Sequence, residues 1–561
     1  LKKPLTLFLL TVPILFLGIF YFLPVYRILL VSLSADFIST SGINVPRILR
    51  VIGFTLYQAS LSAGITLLVG TPIAYLLHLY NFKLKNKLFL LTAIPFMLPT
   101  VVVATGFNSL LGPNGVVNLL NSAISQSPKP LIGFTGTIWA IVAAHVFYNA
   151  TIVIRMVKNT LDKLDPSLVD SAKMLGASPI RAFINVTLPR LAPSLLVSGF
   201  LVFFFDFTSF GVILMLGGPK FATLEVEIFT QTMHYLNLPF AAILSIIQIF
   251  FTITFSIIYS RSLANGEENK TSKISWEVGK TPRSFGEKSV VALLTVFVVV
   301  LFLAPIIALP IRSFTVFESL RTMETFQIEK FLTFNYYVDL FTNSRNSYFY
   351  VPPFEALKNS LLFAVSTILL SLAIGLPSAF ILSKNKTIRT WLEPLFILPL
   401  GTSSVTLGLG YILFFNRSIF PGGENLLTSP WLLPFAHTTI ALPFVIRNLF
   451  TAIQQIPTNY HESAKTLGAS PVQTILNIDL PILNRALVSS AAFAFTISLG
   501  EFGATSLLSR PDFPTLPTAI YRFISQPGAA NFGQAMAMST ILFVLCGLGI
   551  AIIEKTQTNY K

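Results

Sequence analysis

Apolar runs separated by short polar loops recur along the whole 561-residue chain. They fall at about 6–32, 53–80, 88–111, 134–156, 191–216, 238–260, 289–312, 357–382, 391–415, 431–450, 483–508 and 534–554. A helix needs roughly 20 apolar residues to cross a bilayer, since each residue advances it by about 1.5 Å. Most of the runs reach that length. The pattern therefore predicts an all-α polytopic membrane protein with about twelve transmembrane helices, six on each side of a polar stretch. Pro72, Pro99, Pro377 and Pro399 lie inside runs. Membrane helices accept proline where neighbours satisfy the freed backbone groups.

Loop charge orients these spans. With the N-terminus in the cytoplasm, the inner loops collect most of the Lys and Arg, among them Lys83, Lys85, Lys87, Arg155, Lys173, Arg261, Lys384, Arg447 and Lys465. The positive-inside rule then places both termini in the cytoplasm of a bacterial or archaeal inner membrane. Residues 261–288 become a cytoplasmic linker between two halves, 1–260 and 289–561. The outer stretch 313–356 mixes aromatic and charged residues. It is expected to hold short amphipathic helices and to offer a contact for an external partner. Lys2 and Lys3 precede an apolar run too long for a signal-peptide core, so this run reads as an uncleaved first span.

Composition agrees with lipid as the main solvent: 53% of residues are hydrophobic and 11% charged, against about 25% charged in soluble domains. The net charge of +15 sits in short loops, without a basic stripe carrying interleaved aromatics, so nucleic acid is not an expected partner. The single cysteine, Cys546, lies in the last apolar run and reads as a small apolar filler.

The chain repeats itself. At an offset of 292, Ala144-His145 matches Ala436-His437, Arg155 matches Arg447, and Leu175-Gly-Ala-Ser-Pro179 matches Leu467-Gly-Ala-Ser-Pro471. Leu188-Pro189, Phe210-Gly211 and Thr223-Leu224 match Leu480-Pro481, Phe502-Gly503 and Thr515-Leu516. Upstream, at an offset of 305, Gly70, Pro72 and Ala74 match Gly375, Pro377 and Ala379. Two copies in the same order, each with an even number of spans, form parallel repeats about a pseudo-two-fold along the membrane normal. A substrate path on that axis is the natural geometry.

Between spans 4 and 5, residues 164–190 read as a helix, a glycine and a second helix. Asp165 can cap a helix with Pro166 in its first turn, Gly176 suits the residue just past its end, Ser178 can cap the next helix, and Pro189 is expected to close it. Residues 456–482 repeat the arrangement, without an Asp ahead of Pro457.

This elbow, present twice, resembles the EAA loop of importer permeases of the ABC transporter superfamily. The first copy stands as Asp170-Ser171-Ala172, Gly176 and Val186-Thr187-Leu188-Pro189, the second as Glu462-Ser463-Ala464, Gly468 and Ile478-Asp479-Leu480-Pro481. Asp for Glu, Ser for the middle Ala and one Val for Ile are mild departures. The strings Ala144–Asn149 and Ser498–Gly503, with Thr515–Pro517, look like the fused permeases of ferric-iron and thiamine importers.

The resemblance implies a non-enzymatic subunit that forms the translocation path. Asp170, Ser171, Ala172, Gly176, Glu462, Ser463, Ala464 and Gly468 would contact two copies of a separate ATPase, which would bind the ATP and Mg. An extracytoplasmic solute-binding protein would deliver thiamine or ferric iron. No cofactor is expected on this chain, whose scattered histidines form no metal cage.

Ionisable groups inside spans are functional candidates because burying them is costly. Asp206 lies about 21 Å of helix past the start of its span and Glu501 about 25 Å into its own. Asp206 aligns with Ser498 and Ser209 with Glu501, so each half offers one carboxylate on a similar helix face. His145, Asn149 and His437 lie in spans 4 and 10. Together these seven residues are candidates for the translocation path, and hydrogen bonding between helices is their other reading.

The chain contains no phosphate loop of the G-x-x-x-x-G-K-[ST] type, and Gly286-Glu-Lys-Ser289 does not supply one. An ion-coupled secondary transporter is the alternative, with Asp206 and Glu501 as ion sites, but it leaves the duplicated elbow unexplained. A membrane-embedded enzyme would need polar catalytic groups clustered in a large outer loop.

Overall fold

A computed structural model describes residues 3–33, 44–125, 133–218, 220–267, 279–319, 326–330, 332–342, 352–384, 386–416 and 425–558. It is helical almost throughout, as it must be where lipid leaves backbone N–H and C=O groups nothing else to bond. Among the described residues, ten helices are long and apolar enough to cross a membrane: Leu10–Ser32, Val45–Leu79, Ile138–Leu161, Pro179–Phe207, Leu238–Tyr259, Phe285–Ser313, Pro353–Lys384, Leu432–Gln454, Val472–Gly500 and Ala529–Gly549. An eleventh is a broken pair, Thr387–Gly401 and Ser404–Phe415, bent by 98°.

The expected spans 88–111 and 391–415 are not straight rods. The first is divided into Lys85–Leu91, a 3-10 turn at Pro95–Met97 and the helix Thr100–Leu111. The second breaks at the 3-10 turn Leu398–Gly401. Pro95 and Pro99, and Pro394 and Pro399, remove backbone donors at these places. The spans ending near 216 and 508 are broken as well, into Leu188–Phe207 plus Gly211–Leu216 and Leu480–Gly500 plus Gly503–Leu508.

The repeat survives folding in detail. Elbow helices Pro166–Met174 and Thr458–Thr466, π-turns Phe183–Thr187 and Ile475–Asp479, and short helices Leu224–Met233 and Leu516–Ser525 all correspond. Each half is built on three mutually packed helices: Val45–Leu79, Ile138–Leu161 and Leu188–Phe207, then Pro353–Lys384, Leu432–Gln454 and Leu480–Gly500. The first crossing is close because Gly70 lies against Val153, where an added Cβ would come within 2.9 Å. The second repeats it with Gly375 and Val445 at 2.8 Å. Small residues allow such approach where no hydrophobic force drives membrane helices together.

The first span of each half packs on both halves. The helix Leu23–Ser32 packs on Ser404–Phe415, and Phe285–Ser313 packs on Thr100–Leu111 and Ala529–Thr558. An added Cβ at Gly106 would stand 2.9 Å from the Pro305 carbonyl oxygen, and one at Gly410 would stand 3.1 Å from that of Pro24. Tyr21 also reaches across, its hydroxyl 2.6 Å from Thr402 Oγ1. The two halves are therefore interleaved in space although they are consecutive in sequence.

Two expectations change. Among the described residues of the outer stretch there is a two-stranded antiparallel hairpin, Val316–Ser319 with Phe326–Lys330, which was not expected, and one short helix, Asn335–Val338; residues 320–325, 331 and 343–351 lie outside the described residues. In the second strand Phe326 and Ile328 alternate with Gln327 and Glu329, which fits strand periodicity. Pro189 does not end a helix: the chain runs from Pro179 to Phe207 without a break. The π-turn bonds Leu188 N–H to Phe183 O, which puts Pro189 in a first turn, where its missing N–H costs little. Residues 268–278 of the expected linker lie outside the described residues. Its end is seen: Ser284 and Glu287 form a capping box that starts the Phe285–Ser313 helix, so Gly286–Ser289 is a helix start.

Candidate coupling elbows and translocation path

Both elbows end their first helix on the same hydrogen bonds. Gly176 N–H donates to Lys173 O at 2.9 Å and Ala177 N–H to Ala172 O at 3.0 Å. Gly468 N–H donates to Lys465 O at 3.0 Å and Ala469 N–H to Ala464 O at 2.9 Å. This is a Schellman ending, which requires the left-handed backbone that glycine adopts without strain. The φ values are +87° at Gly176 and +78° at Gly468. The backbone carbonyls that accept the longer bond are those of Ala172 and Ala464, four residues before each glycine.

The elbows present an apolar ridge outside the helix bundle. Met174 and Leu175 are each 89% exposed and Leu467 86%. Ile180 and Val472 are exposed beside them. Asp170, Ser171, Glu462 and Ser463 are exposed, Ala172 is half-buried and Ala464 is buried. Lys173 pairs with Asp170 at 3.2 Å, an exposed i,i+3 contact that contributes little.

The seven candidate path residues gather into two buried clusters, one inside each three-helix core. In the first half, His145 Nδ1 lies 3.0 Å from Ser62 Oγ and its Nε2 lies 2.9 Å from Ser209 Oγ. Asn149 Nδ2 donates to Asp206 Oδ1 at 2.7 Å, and Gln58 Nε2 donates to the Asp206 backbone carbonyl at 2.7 Å. In the second half, His437 Nδ1 lies 2.8 Å from Ser498 Oγ and Nε2 lies 2.9 Å from Thr505 Oγ1. Glu501 accepts from the backbone N–H groups of Ala504 and Thr505, each at 2.9 Å. Asp206 and Glu501 are thus tied within their own halves.

Sequence reasoning missed Glu225 and Glu227. They sit in the first turn of the buried helix Leu224–Met233, favourable ground for carboxylates beside unpaired N–H groups. Glu227 pairs with Arg47 at 2.8 Å. Glu225 accepts from Gln248 Nε2 at 2.8 Å and from Ser403 Oγ of the other half. Two glutamates spaced i,i+2 between apolar spans were the available signal, but a ten-residue helix is too short to register as a span. The repeat carries Pro517 and Ala519 at these places.

Fold and elbows together define a polytopic permease made of two fused, interleaved repeats. Residues 69–265 and 355–555 each match the family described as binding-protein-dependent transport system inner membrane component, and the chain belongs to that family. Among its relatives is the thiamine transport system permease protein ThiP of Brucella abortus, 25% identical over 91% of this chain and 88% of the relative. The proteins of the same name from Haemophilus influenzae and Escherichia coli are 26% and 24% identical, over 89% and 90% of this chain and 87% and 88% of their own length. A probable ABC transporter permease protein of Sinorhizobium fredii is 24% identical over 84% of this chain and 81% of its own.

Proposed function

We propose that this chain is the permease of an ATP-driven thiamine importer, with Asp170–Gly176 and Glu462–Gly468 each docking on one ATPase subunit. The observation that carries the coupling half is the pair of equivalent elbows, each with a left-handed glycine and an exposed leucine after its helix. Relatives named as thiamine permeases along nearly the whole chain support the substrate. The Lys and Arg distribution supports a cytoplasmic position for the elbows and both termini.

ATP binding draws the two ATPase subunits together, and each elbow transmits that motion to the helices continuous with it, Pro179–Phe207 and Val472–Gly500. An unbroken helix from elbow to membrane core is a stiff lever. The crossing first spans tie each half to the other, so both halves move in one step. A solute-binding protein delivers thiamine to the outer mouth, and ATP hydrolysis on the partner chains resets the inward-facing state.

The test is reconstitution with the cognate ATPase and binding protein in proteoliposomes. ATP-dependent thiamine uptake is expected, with loss of uptake in Gly176→Val/Gly468→Val. Ferric-iron uptake in place of thiamine would overturn the substrate alone. Uptake that follows a proton or sodium gradient without the ATPase would overturn the importer reading.

A further inference from the structure

Four aromatic rings run across the pseudo-two-fold axis. Phe210 and Phe502 are equivalent in the repeat and stack on each other, with centroids 5.4 Å apart and ring planes 28° apart. Phe229 lies on the outer side of Phe210 at 5.3 Å and 58°, and its equivalent Tyr521 lies against Phe502 at 5.5 Å and 59°. Equivalent residues that touch must straddle the axis, so the Phe210–Phe502 pair occupies the line along which a path between the halves would open. Both rings are buried, as is Phe229.

The backbone holds these rings with little slack. Gly211 and Gly503, each next to a central ring, pack on Thr100 and Ser404 at the starts of the helices Thr100–Leu111 and Ser404–Phe415. An added Cβ at Gly211 would come within 2.5 Å of Thr100 Oγ1 and 3.3 Å of Phe502. A larger residue at Gly211 would press on Phe502, and one at Gly503 on Ser404.

One carboxylate stands beside this ladder. Glu225 precedes Phe229 by four residues and shares its helix face. Among the described residues its oxygens accept from Gln248 and from Ser403, the neighbour of Ser404, and no basic side chain pairs with it. The second half carries Pro517 there, so the carboxyl group is one-sided.

The geometry points to the ladder Phe229–Phe210–Phe502–Tyr521 as the closed gate of the path, and to its two central rings with Glu225 as the site that holds a flat cationic ring while the halves part. An aromatic ring slides between parted phenyl faces as an offset stack, and a positive charge is favoured by the ring faces and by Glu225. The identity of the ring as that of thiamine rests on the substrate reading above. The closure and the preference for cations do not.

The experiment uses the full complex in proteoliposomes preloaded with thiamine and with an anionic naphthalene sulfonate dye of similar size, in the absence of ATP. Phe210→Ala/Phe502→Ala is expected to release thiamine at least tenfold faster than the wild type, whereas Phe210→Tyr/Phe502→Tyr stays closed. Unchanged leakage in the folded double-alanine variant, monodisperse and still bound to the ATPase, overturns the gate. In that leaky variant thiamine should escape faster than the dye, and adding Glu225→Gln should remove the difference. Equal escape rates before Glu225 is changed overturn the cation site. Failure of the wild type to import thiamine with ATP overturns only the substrate reading, since both leak measurements work with any solute of that size.

Discussion

In the second half, Glu501 sits two residues ahead of the Gly503–Leu508 helix and takes two of its unpaired N–H groups, with Thr505 Oγ1 donating at 2.5 Å. In the first half that place belongs to Ser209. The carboxylate is three residues earlier at Asp206 and is reached by Asn149 from another helix. The elbows show the same exchange. Asp165 Oδ1 caps the first elbow helix by accepting from Ser167 N–H at 2.9 Å, and the second elbow has no such cap at Pro457. The second elbow is instead held to the following helix by His461 Nε2 and Asp479 Oδ1 at 2.7 Å, where the first has Val169 and Thr187. One backbone is thus held by different side chains in its two copies. What both copies keep is the left-handed glycine, the π-turn and the glycine at each close crossing.

The comparison breaks most visibly at the two carboxylates. Glu501→Ala strips three donors of their acceptor inside a buried site, and a loss of about 2–4 kcal/mol is expected from unsatisfied groups of this kind. Asp206→Ala orphans the Asn149 amide, for about 1–2 kcal/mol. Thermal unfolding in detergent checks the order, and equal losses would contradict it.

The glycines should behave alike. Placing a Cβ in the left-handed region costs roughly 1–2 kcal/mol, so Gly176→Ala and Gly468→Ala should destabilise their elbows equally. Hydrogen exchange at Ala177 and Ala469 reads this directly, because their N–H groups close the two Schellman endings.

The elbow caps sharpen the difference. Asp165→Ala should cost about 1 kcal/mol in the first elbow, and Pro457→Asp should add up to about that much to the second by supplying a cap. Exchange rates across Pro166–Met174 and Thr458–Thr466 should move in opposite directions.

A smaller effect depends on pH. Asp162 accepts from His78 at 2.8 Å and Lys158 at 2.5 Å, and the second half has Ser383, Phe450 and Gln454 there. Partial burial pushes the Asp162 carboxyl up, but the hydrogen bonds from His78 and Lys158 outweigh it, so its pKa is lowered. A lowered carboxyl stabilises fully above its unfolded value, about 3.9, and loses that contribution as pH falls through the folded value. Below about pH 4, exchange should quicken at the base of the first elbow before it does at the second.

Much of this was legible in the chain. The offset of 292 residues placed the elbows, and the Asp-Pro, Gly and Ser-Pro spacing gave their helix–glycine–helix form. Hydropathy located the spans but could not bend them, since an apolar run reads the same whether or not Pro95 and Pro99 break it. Nor could it assign neighbours: Pro24 against Gly410 and Pro305 against Gly106 look like ordinary span residues until both halves are seen together. The seven polar candidates were found because charge and amide groups in lipid stand out, but that Asp206 and Glu501 are held by different partners depended on tertiary contacts. Glu225 was missed because its helix is short, and the aromatic ladder because its rings are four among many, the chain having 52 phenylalanines.

Cross-linking from the elbows tests the central claim most directly. The only native cysteine, Cys546, is buried, so Leu175→Cys and Leu467→Cys would each introduce one exposed thiol at equivalent positions. With the ATPase bound, both should cross-link to it through a short bifunctional reagent, and the double variant should capture two ATPase subunits per chain. If the complex assembles and neither thiol reaches the ATPase, the elbows do not couple transport to ATP and the account fails.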